Sequence, residues 1–356
     1  MSDNLNLSHP RVRLAHTPTP LEAMPNLSLA LGGPRLFVKR DDCTGLATGG
    51  NKARQLEYYF GQASVSDADT ILITGAVQSN FVRQAAAAAR KCRMECHIQL
   101  EKRLSRSDAT YLRSGNVLLN HLLGAEIHHF DKGHDESAAD LNLDVLAESL
   151  RAKGRKPYVI HLGVDHTPWG GLGYVDAGRE TATQVDAMGL TIDAVVLASG
   201  SGLTHAGFLT GWRAAGKASP IYGICVRRDA NEQKRRIERR LAEIIALAGL
   251  SPSLAGPNDI NVDDSWLGPG YGRLTQDIRN AIDITAQHEG LILDPVYTGK
   301  TMAGLICMVR NSVPANAKNI LFLHTGGSVA LFGYEELTMS EKGNSQPETN
   351  KVSSSI

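Results

Sequence analysis

With 37 basic residues set against 37 acidic ones over 356 positions, the chain carries no net field to gather nucleic acid or an anionic membrane, so a small molecule is the expected partner. That length exceeds what one core usually fills, so two lobes and a cleft are expected. No apolar run reaches the roughly 20 residues of a membrane span, residues 1–14 are too polar for a signal peptide, and the five scattered cysteines suit reduced thiols in the cytoplasm with no metal centre.

In chain order, the first dozen residues read as an extended arm and 36–40 as a strand. The stretch 47-ATGGNKARQLEYY-59 then sets Gly49, Gly50 and Asn51 before a helix over 52–65 that opens on Lys52. A surface lysine needs no such setting. An ammonium beside a positive helix terminus is biased toward the neutral amine, which is a nucleophile for carbonyls and forms Schiff bases. The apolar run of 70-TILITGAVQSN-80 predicts a strand with Gln78, Ser79 and Asn80 at its mouth and a helix over 80–91. Uncharged donors there suit a substrate carboxylate or a ring hydroxyl, and serve equally well as helix caps. Strands are expected at 96–100, 126–130 and 157–161, with helices near 110–123, 135–153 and 173–188.

The segment 194-AVVLASGSGLTHAG-207 predicts a buried strand, a glycine-rich turn and a helix over 204–215. Successive N–H groups in such a turn form an anion nest, to which Ser201 and Thr204 add hydroxyl donors. The turn lacks the Gly-Lys-Ser/Thr ending of a P-loop, and His205 stands where a dinucleotide fingerprint needs glycine, so the expected phosphate belongs to neither ATP nor NAD. A strand over 220–226 and helices near 229–249, 273–289 and 300–311 follow. Tyr271 lies between glycines in 268-GPGYG-272, Tyr297 and Thr298 precede a helix in 293-LDPVYTGKTMAG-304, and Thr325 follows the strand of 319-NILFLHTGG-327. Apolar strands alternating with helices predict open parallel α/β sheets, whose ligands bind at the carboxyl ends of the strands. These turns are therefore expected to share one site, with the polar tail 341–356 outside it.

On these segments, together with 16-HTPTPLE-22 and 38-VKRDDCTGLATGGNKARQLE-57, the chain resembles the D-cysteine desulfhydrase and 1-aminocyclopropane-1-carboxylate deaminase family of fold type II pyridoxal phosphate enzymes over about residues 8–335. The resemblance implies the two-domain open twisted sheets of the tryptophan synthase β-like fold. Residues 1–51 and 163–338 would form a large cofactor-binding domain, 52–162 a small one and 339–356 a disordered tail, in a cytoplasmic homodimer. It implies that Lys52 holds pyridoxal 5'-phosphate, that Asn80 meets the ring hydroxyl, that Gly200, Ser201, Gly202, Leu203 and Thr204 hold the phosphate, and that Thr325 faces the pyridine nitrogen. Gln78 and Ser79 would receive the substrate carboxylate, with Asn80, Thr298 and His166 also in the substrate pocket. Tyr297 and Tyr271 would assist Lys52 in catalysis.

The implied reaction is α,β-elimination from a cysteine-like amino acid such as L-cysteate or D-cysteine, releasing pyruvate, ammonia and sulfite or sulfide, with deamination of 1-aminocyclopropane-1-carboxylate or β-elimination of another β-substituted alanine as the alternatives. Tyr297-Thr298 and His324-Thr325 match the pattern of the desulfhydrases and L-cysteate sulfo-lyases, and 40-RDDCTGLATGGNK-52 resembles the sulfo-lyases more closely. A sulfonate leaving group needs a cationic pocket, and no segment of the sequence reveals one. Three departures from the family pattern stand out: Phe81 in place of His or Gln, Ser-Gly-Leu-Thr in the phosphate loop, and Asp165, His166 and Trp169 in 163-GVDHTPWGGLGY-174.

Overall fold

The computed structural model describes residues 9–106, 108–133 and 135–337; the polar tail and most of the expected N-terminal arm lie outside the described residues. In chain order the strands are β1 (Leu21–Ala23), β2 (Arg35–Arg40), β3 (Thr70–Ala76), β4 (Glu95–Glu101), β5 (Glu126–Phe130), β6 (Pro157–Ile160), β7 (Ala194–Ser199), β8 (Ile221–Cys225), β9 (Ile260–Asp263) and β10 (Asn319–His324). The helices are α1 (Pro25–Leu31), α2 (Lys52–Val65), α3 (Asn80–Lys91), α4 (Ala109–Arg113), α5 (Gly115–Leu122), α6 (Glu136–Arg151), α7 (Gly170–Ala187), α8 (Leu203–Ala214), α9 (Ala230–Leu247), α10 (Gln276–Glu289) and α11 (Thr298–Arg310). A large sheet runs β1-β2-β10-β7-β8-β9 and a small one β5-β4-β3-β6. All pairings are parallel except that of the edge strand β1.

Side chains alternate across each strand, and both faces are covered. In β7, Val195 and Leu197 pack with Leu172, Phe208, Trp212 and Ile244 from α7, α8 and α9. Ala194 and Val196 pack with Ile278, Met302 and Leu305 from α10 and α11 on the other face. The small sheet repeats the plan, with Ile71 and Ile73 against α2 and α3 and Leu72 against α6.

The sequence reading differs from the structure in four places. The helix expected near 110–123 is broken in two, because Ser114 is extended (φ −100°, ψ −174°) and its carbonyl accepts a hydrogen bond from Gln78. The short elements β1, β9 and α1 were not anticipated, since three to seven residues carry too little periodicity to stand out.

Helix α2 is buried from Ala53 to Gly61 although it contains Arg54, Gln55 and Glu57. At Gly173 of α7 an added Cβ would lie 2.1 Å from the Arg54 carbonyl, so glycine is what lets the two helices meet backbone to backbone. The buried charges are paired. Arg54 reaches Asp41 at 2.9 Å and Glu180 at 2.8 Å, Lys39 also binds Glu180, and Tyr174 donates to Asp41. Burial alone would raise the Asp41 pKa, but Arg54 and Lys39 hold it below the ordinary value. Glu57 receives Arg11 and the N–H groups of Leu14 and Ala15, which ties the N-terminal segment to the same helix. Arg54→Met would leave Asp41 and Glu180 short of a partner in a dry interior. The expected cost is about 3–5 kcal/mol in urea unfolding; a loss below about 1 kcal/mol would mean the network behaves like a surface ion pair.

Candidate active site

The backbone entering α2 is held in an uncommon shape. Ala47, Thr48, Gly49 and Gly50 all have positive φ, at 43°, 70°, 71° and 123°. Only glycine fits the last two, since a Cβ on Gly49 would lie 1.9 Å from the Asp42 carbonyl oxygen and one on Gly50 would lie 2.7 Å from Gln84. The Thr44 hydroxyl clamps Gly50 through both its N–H and its carbonyl, and the Asn51 N–H donates to the Thr325 carbonyl. Lys52 is thereby aimed into a cleft at the carboxyl ends of β3, β7 and β10. Its Nζ donates to Gln55 at 3.1 Å and lies 5.1 Å from the centre of the Phe81 ring. No carboxylate pairs with it among the described residues, and burial lowers its pKa to about 8.

The cleft has two halves that share Lys52, Ser79, Phe81, Gly200, Ser201 and Tyr297. One half, about 520 Å³, is lined by Asn51, Asn80, Gly202, Thr204, His205 and Thr325. Here the turn after β7 runs into the N-terminus of α8, whose first backbone N–H groups have no intrahelical acceptor. Thr204 Oγ1 accepts from both Asn51 (3.0 Å) and Gln55 (2.9 Å), so its own proton is free to donate into the cleft. At α3, Ser79 Oγ accepts from the N–H groups of Phe81 and Val82 and still lines the cleft, so it serves as cap and site together. Asn80 Oδ1 accepts from Arg83 (2.7 Å) and Asn116 (3.1 Å), which turns the amide nitrogen outward.

The other half, about 570 Å³, adds Arg103, Glu136, Arg227, Arg228, Arg236 and Tyr271. Three of these arginines converge on Glu136. Burial would raise that carboxyl, but the surrounding guanidiniums, Arg103 included, hold it at about 2. Arg103 pairs with Glu101 at 2.8 Å and stacks on Tyr271, yet its buried Nη2 has no partner among the described residues. Four guanidiniums thus meet two carboxylates. The Tyr271 and Tyr297 hydroxyls lie 2.9 Å apart, and burial followed by the neighbouring phenol raises Tyr297 well above its ordinary pKa. Tyr297 therefore stays protonated near neutrality.

Most of the sequence-predicted residues meet here. Four do not line the cleft. Gln78 is committed to structure: its amide donates to the Tyr111 and Ser114 carbonyls and accepts from the Asn116 N–H, which corrects the expectation that it receives a carboxylate. Thr298 is closed off by Asp294, which it meets through both backbone and hydroxyl. Leu203 packs into the core beneath α8. His166 stacks on His161 at 3.7 Å behind the arginine half. The four arginines went unread. Arg103, Arg227 and Arg228 do stand just past the ends of β4 and β8, where ligands of parallel sheets bind, and that position was the available signal.

A lowered-pKa lysine beside a helix N-terminus rich in hydroxyls suits an aldehyde that carries a phosphate. The chain matches the pyridoxal-phosphate dependent enzyme family over residues 12–326. It is a member of that family. It is 40% identical to a D-cysteine desulfhydrase of Yersinia enterocolitica over 91% of this chain and 96% of the relative. It is 38% identical, with the same coverage, to a 1-aminocyclopropane-1-carboxylate deaminase of Methylobacterium nodulans. A crystal structure described as an ACC deaminase homologue superposes with a TM-score of 0.82 at 33% identity, covering 93% of this chain and 96% of that one. A fungal L-serine ammonia-lyase from Rhizomucor miehei shares the fold at a TM-score of 0.64 and 17% identity, over 88% and 95% of the two chains.

The cofactor of this family is pyridoxal 5'-phosphate, and the residues present fit it. Thr204 Oγ1 accepts two hydrogen bonds and keeps its own proton for an acceptor in the cleft, and the first N–H groups of α8 have no intrahelical partner, so a phosphate meets donors there. No helix among the described residues is long and apolar enough to cross a membrane. In cofactor-free protein, acylation of Lys52 should reach half its maximal rate at about pH 8, because the neutral amine accumulates as pH rises through the lowered pKa. Mass spectrometry of pH-stepped labelling reads this directly, and a midpoint above about pH 10, the ordinary lysine range, would contradict it.

Proposed function

We propose that the protein eliminates the β-substituent of a cysteine-like amino acid, and that L-cysteate, whose substituent is an anionic sulfonate, suits the cleft better than D-cysteine. The observation that carries this is the arginine half: Arg103, Arg227, Arg228 and Arg236 open onto the space next to Lys52, and Arg103 Nη2 lacks a partner. Each of these guanidiniums has a carboxylate partner, but a buried N–H group left without an acceptor is costly, so an anion of the substrate is its natural complement.

Lys52, Asn80, Gly200, Ser201, Gly202, Thr204 and Thr325 would hold the cofactor. When bound, pyridoxal phosphate supplies an aldehyde for the substrate amine and a conjugated ring that draws off the electron pair of the α-carbon. Lys52 would hold the aldehyde through Nζ, and as an amine neutral often enough near pH 8 it is the group placed to accept the α-proton. The Ser79 hydroxyl and the N-terminus of α3 receive the substrate carboxylate. Phe81 closes the floor beneath the lysine and keeps water from it. Tyr297, protonated and hydrogen-bonded to Tyr271, donates to the departing group, while the arginines take up its charge. Cleavage of the C–S bond releases sulfite, and water converts the remaining three-carbon enamine to pyruvate and ammonia.

The test is 2-oxo acid release from L-cysteate, D-cysteine and 1-aminocyclopropane-1-carboxylate. L-cysteate should have the highest kcat/KM. Arg103→Met and Arg227→Met should each lower it by about 10–100-fold, the worth of a hydrogen bond to a charged group, with bound cofactor retained. Faster turnover of D-cysteine, unaffected by either change, would replace sulfonate with thiol; 2-oxobutanoate from the cyclopropane substrate alone would make the protein a deaminase.

A further inference from the structure

Arg83 is a fully buried arginine with no acid beside it. No ion pair among the described residues includes it, its Nε has no partner, and burial lowers its pKa to about 10. Every other hydrogen bond it makes is to a neutral oxygen: Nη1 donates to Asn80 Oδ1 (2.7 Å) and Asn116 Oδ1 (2.6 Å), and Nη2 to the Gly49 carbonyl (3.0 Å). An unpaired buried cation is destabilising by itself. The contacts lead to the cleft on two sides, since Gly49 belongs to the loop that delivers Lys52 and Asn80 lines the cofactor half. With Asn80 Oδ1 held by two donors, Nδ2 is the atom left to face the cleft, where it lies beside the Gly327 turn without a protein acceptor among the described residues.

We propose that Arg83 is a positioning residue whose counter-charge is the bound cofactor: it fixes Asn80 with its N–H toward the cofactor's ring oxygen and stabilises that oxygen as an anion. The inference rests on the reading that this cleft holds pyridoxal phosphate with its ring oxygen at Asn80. It explains why α3 tolerates a buried charge where a neutral side chain would pack more cheaply. A cation behind the ring oxygen favours whichever form of the lysine-bound cofactor carries more negative charge. Loss of the cation therefore moves the pH titration of the visible absorbance band upward.

The experiment compares wild type, Arg83→Met, Arg83→Lys and Asn80→Ala, each with and without pyridoxal phosphate, by melting temperature and by pH titration of the visible band. In Arg83→Met the band midpoint should rise by about one pH unit and cofactor affinity should fall about tenfold. Its melting temperature should drop in the loaded form and not in the cofactor-free form. Arg83→Lys should recover part of the midpoint, and Asn80→Ala should shift it upward with Arg83 intact, so the outcome does not hang on one variant folding. Equal drops in both forms with an unchanged midpoint would overturn the proposal and leave Arg83 as a brace. If wild type itself gains neither a visible band nor a higher melting temperature on loading, it is the cleft reading that has failed.

Discussion

The structure depends on α2 being buried from Ala53 to Gly61 with the charges of Arg54 and Glu57 satisfied inside the protein. Arg54, two residues after Lys52, is clamped by Asp41 and Glu180, and Glu57 one turn further on holds Arg11. Helix α2 therefore has little freedom to rotate or slide, and the position of the lysine amine follows from its backbone. The same burial that fixes Lys52 strips it of water without supplying a carboxylate, which is what lowers its pKa to about 8. Lys39 and Lys300 are buried as well, but Lys39 is neutralised by Glu180 and Lys300 is spent on the carbonyls of Leu267 and Gly270.

Around that amine the cleft divides its polarity by function. The half beneath α8 offers neutral donors and a helix terminus, the arrangement that receives a phosphate while keeping its charge solvated by the protein. The half beyond Phe81 offers guanidiniums in excess of carboxylates, with Glu136 holding three of them in place. Two anionic groups can thus be bound on opposite sides of one lysine without competing. Tyr297 lines both halves, with Tyr271 beside it in the arginine half, and its raised pKa keeps it protonated near neutrality.

Much of this was legible in the sequence because parallel sheets leave a simple trace. Runs such as those at 71–73 and 194–198 are apolar at every position since helices cover both faces, and small polar turns follow at the strand ends where the site lies. The glycine pair before Lys52 could be read for the same reason, as no other residue type suits that backbone. What stayed hidden came from side-chain direction and from long-range assembly. Gln78 and Thr298 look like site residues by position, but Gln78 turns to the backbone at the α4–α5 junction and Thr298 to Asp294 in its own turn. The arginine half draws on residues at the ends of β4 and β8 and on α6 and α9, segments spread along the chain from Arg103 to Arg236 that show their common charge only once folded.

The central claim is that Lys52 is the residue that binds the cofactor covalently. Borohydride reduction of the protein loaded with pyridoxal phosphate, followed by peptide mapping, tests it most directly. The account predicts one pyridoxyl group on the peptide carrying Lys52. Label on Lys39, Lys300 or any other lysine, with Lys52 unmodified, would contradict it.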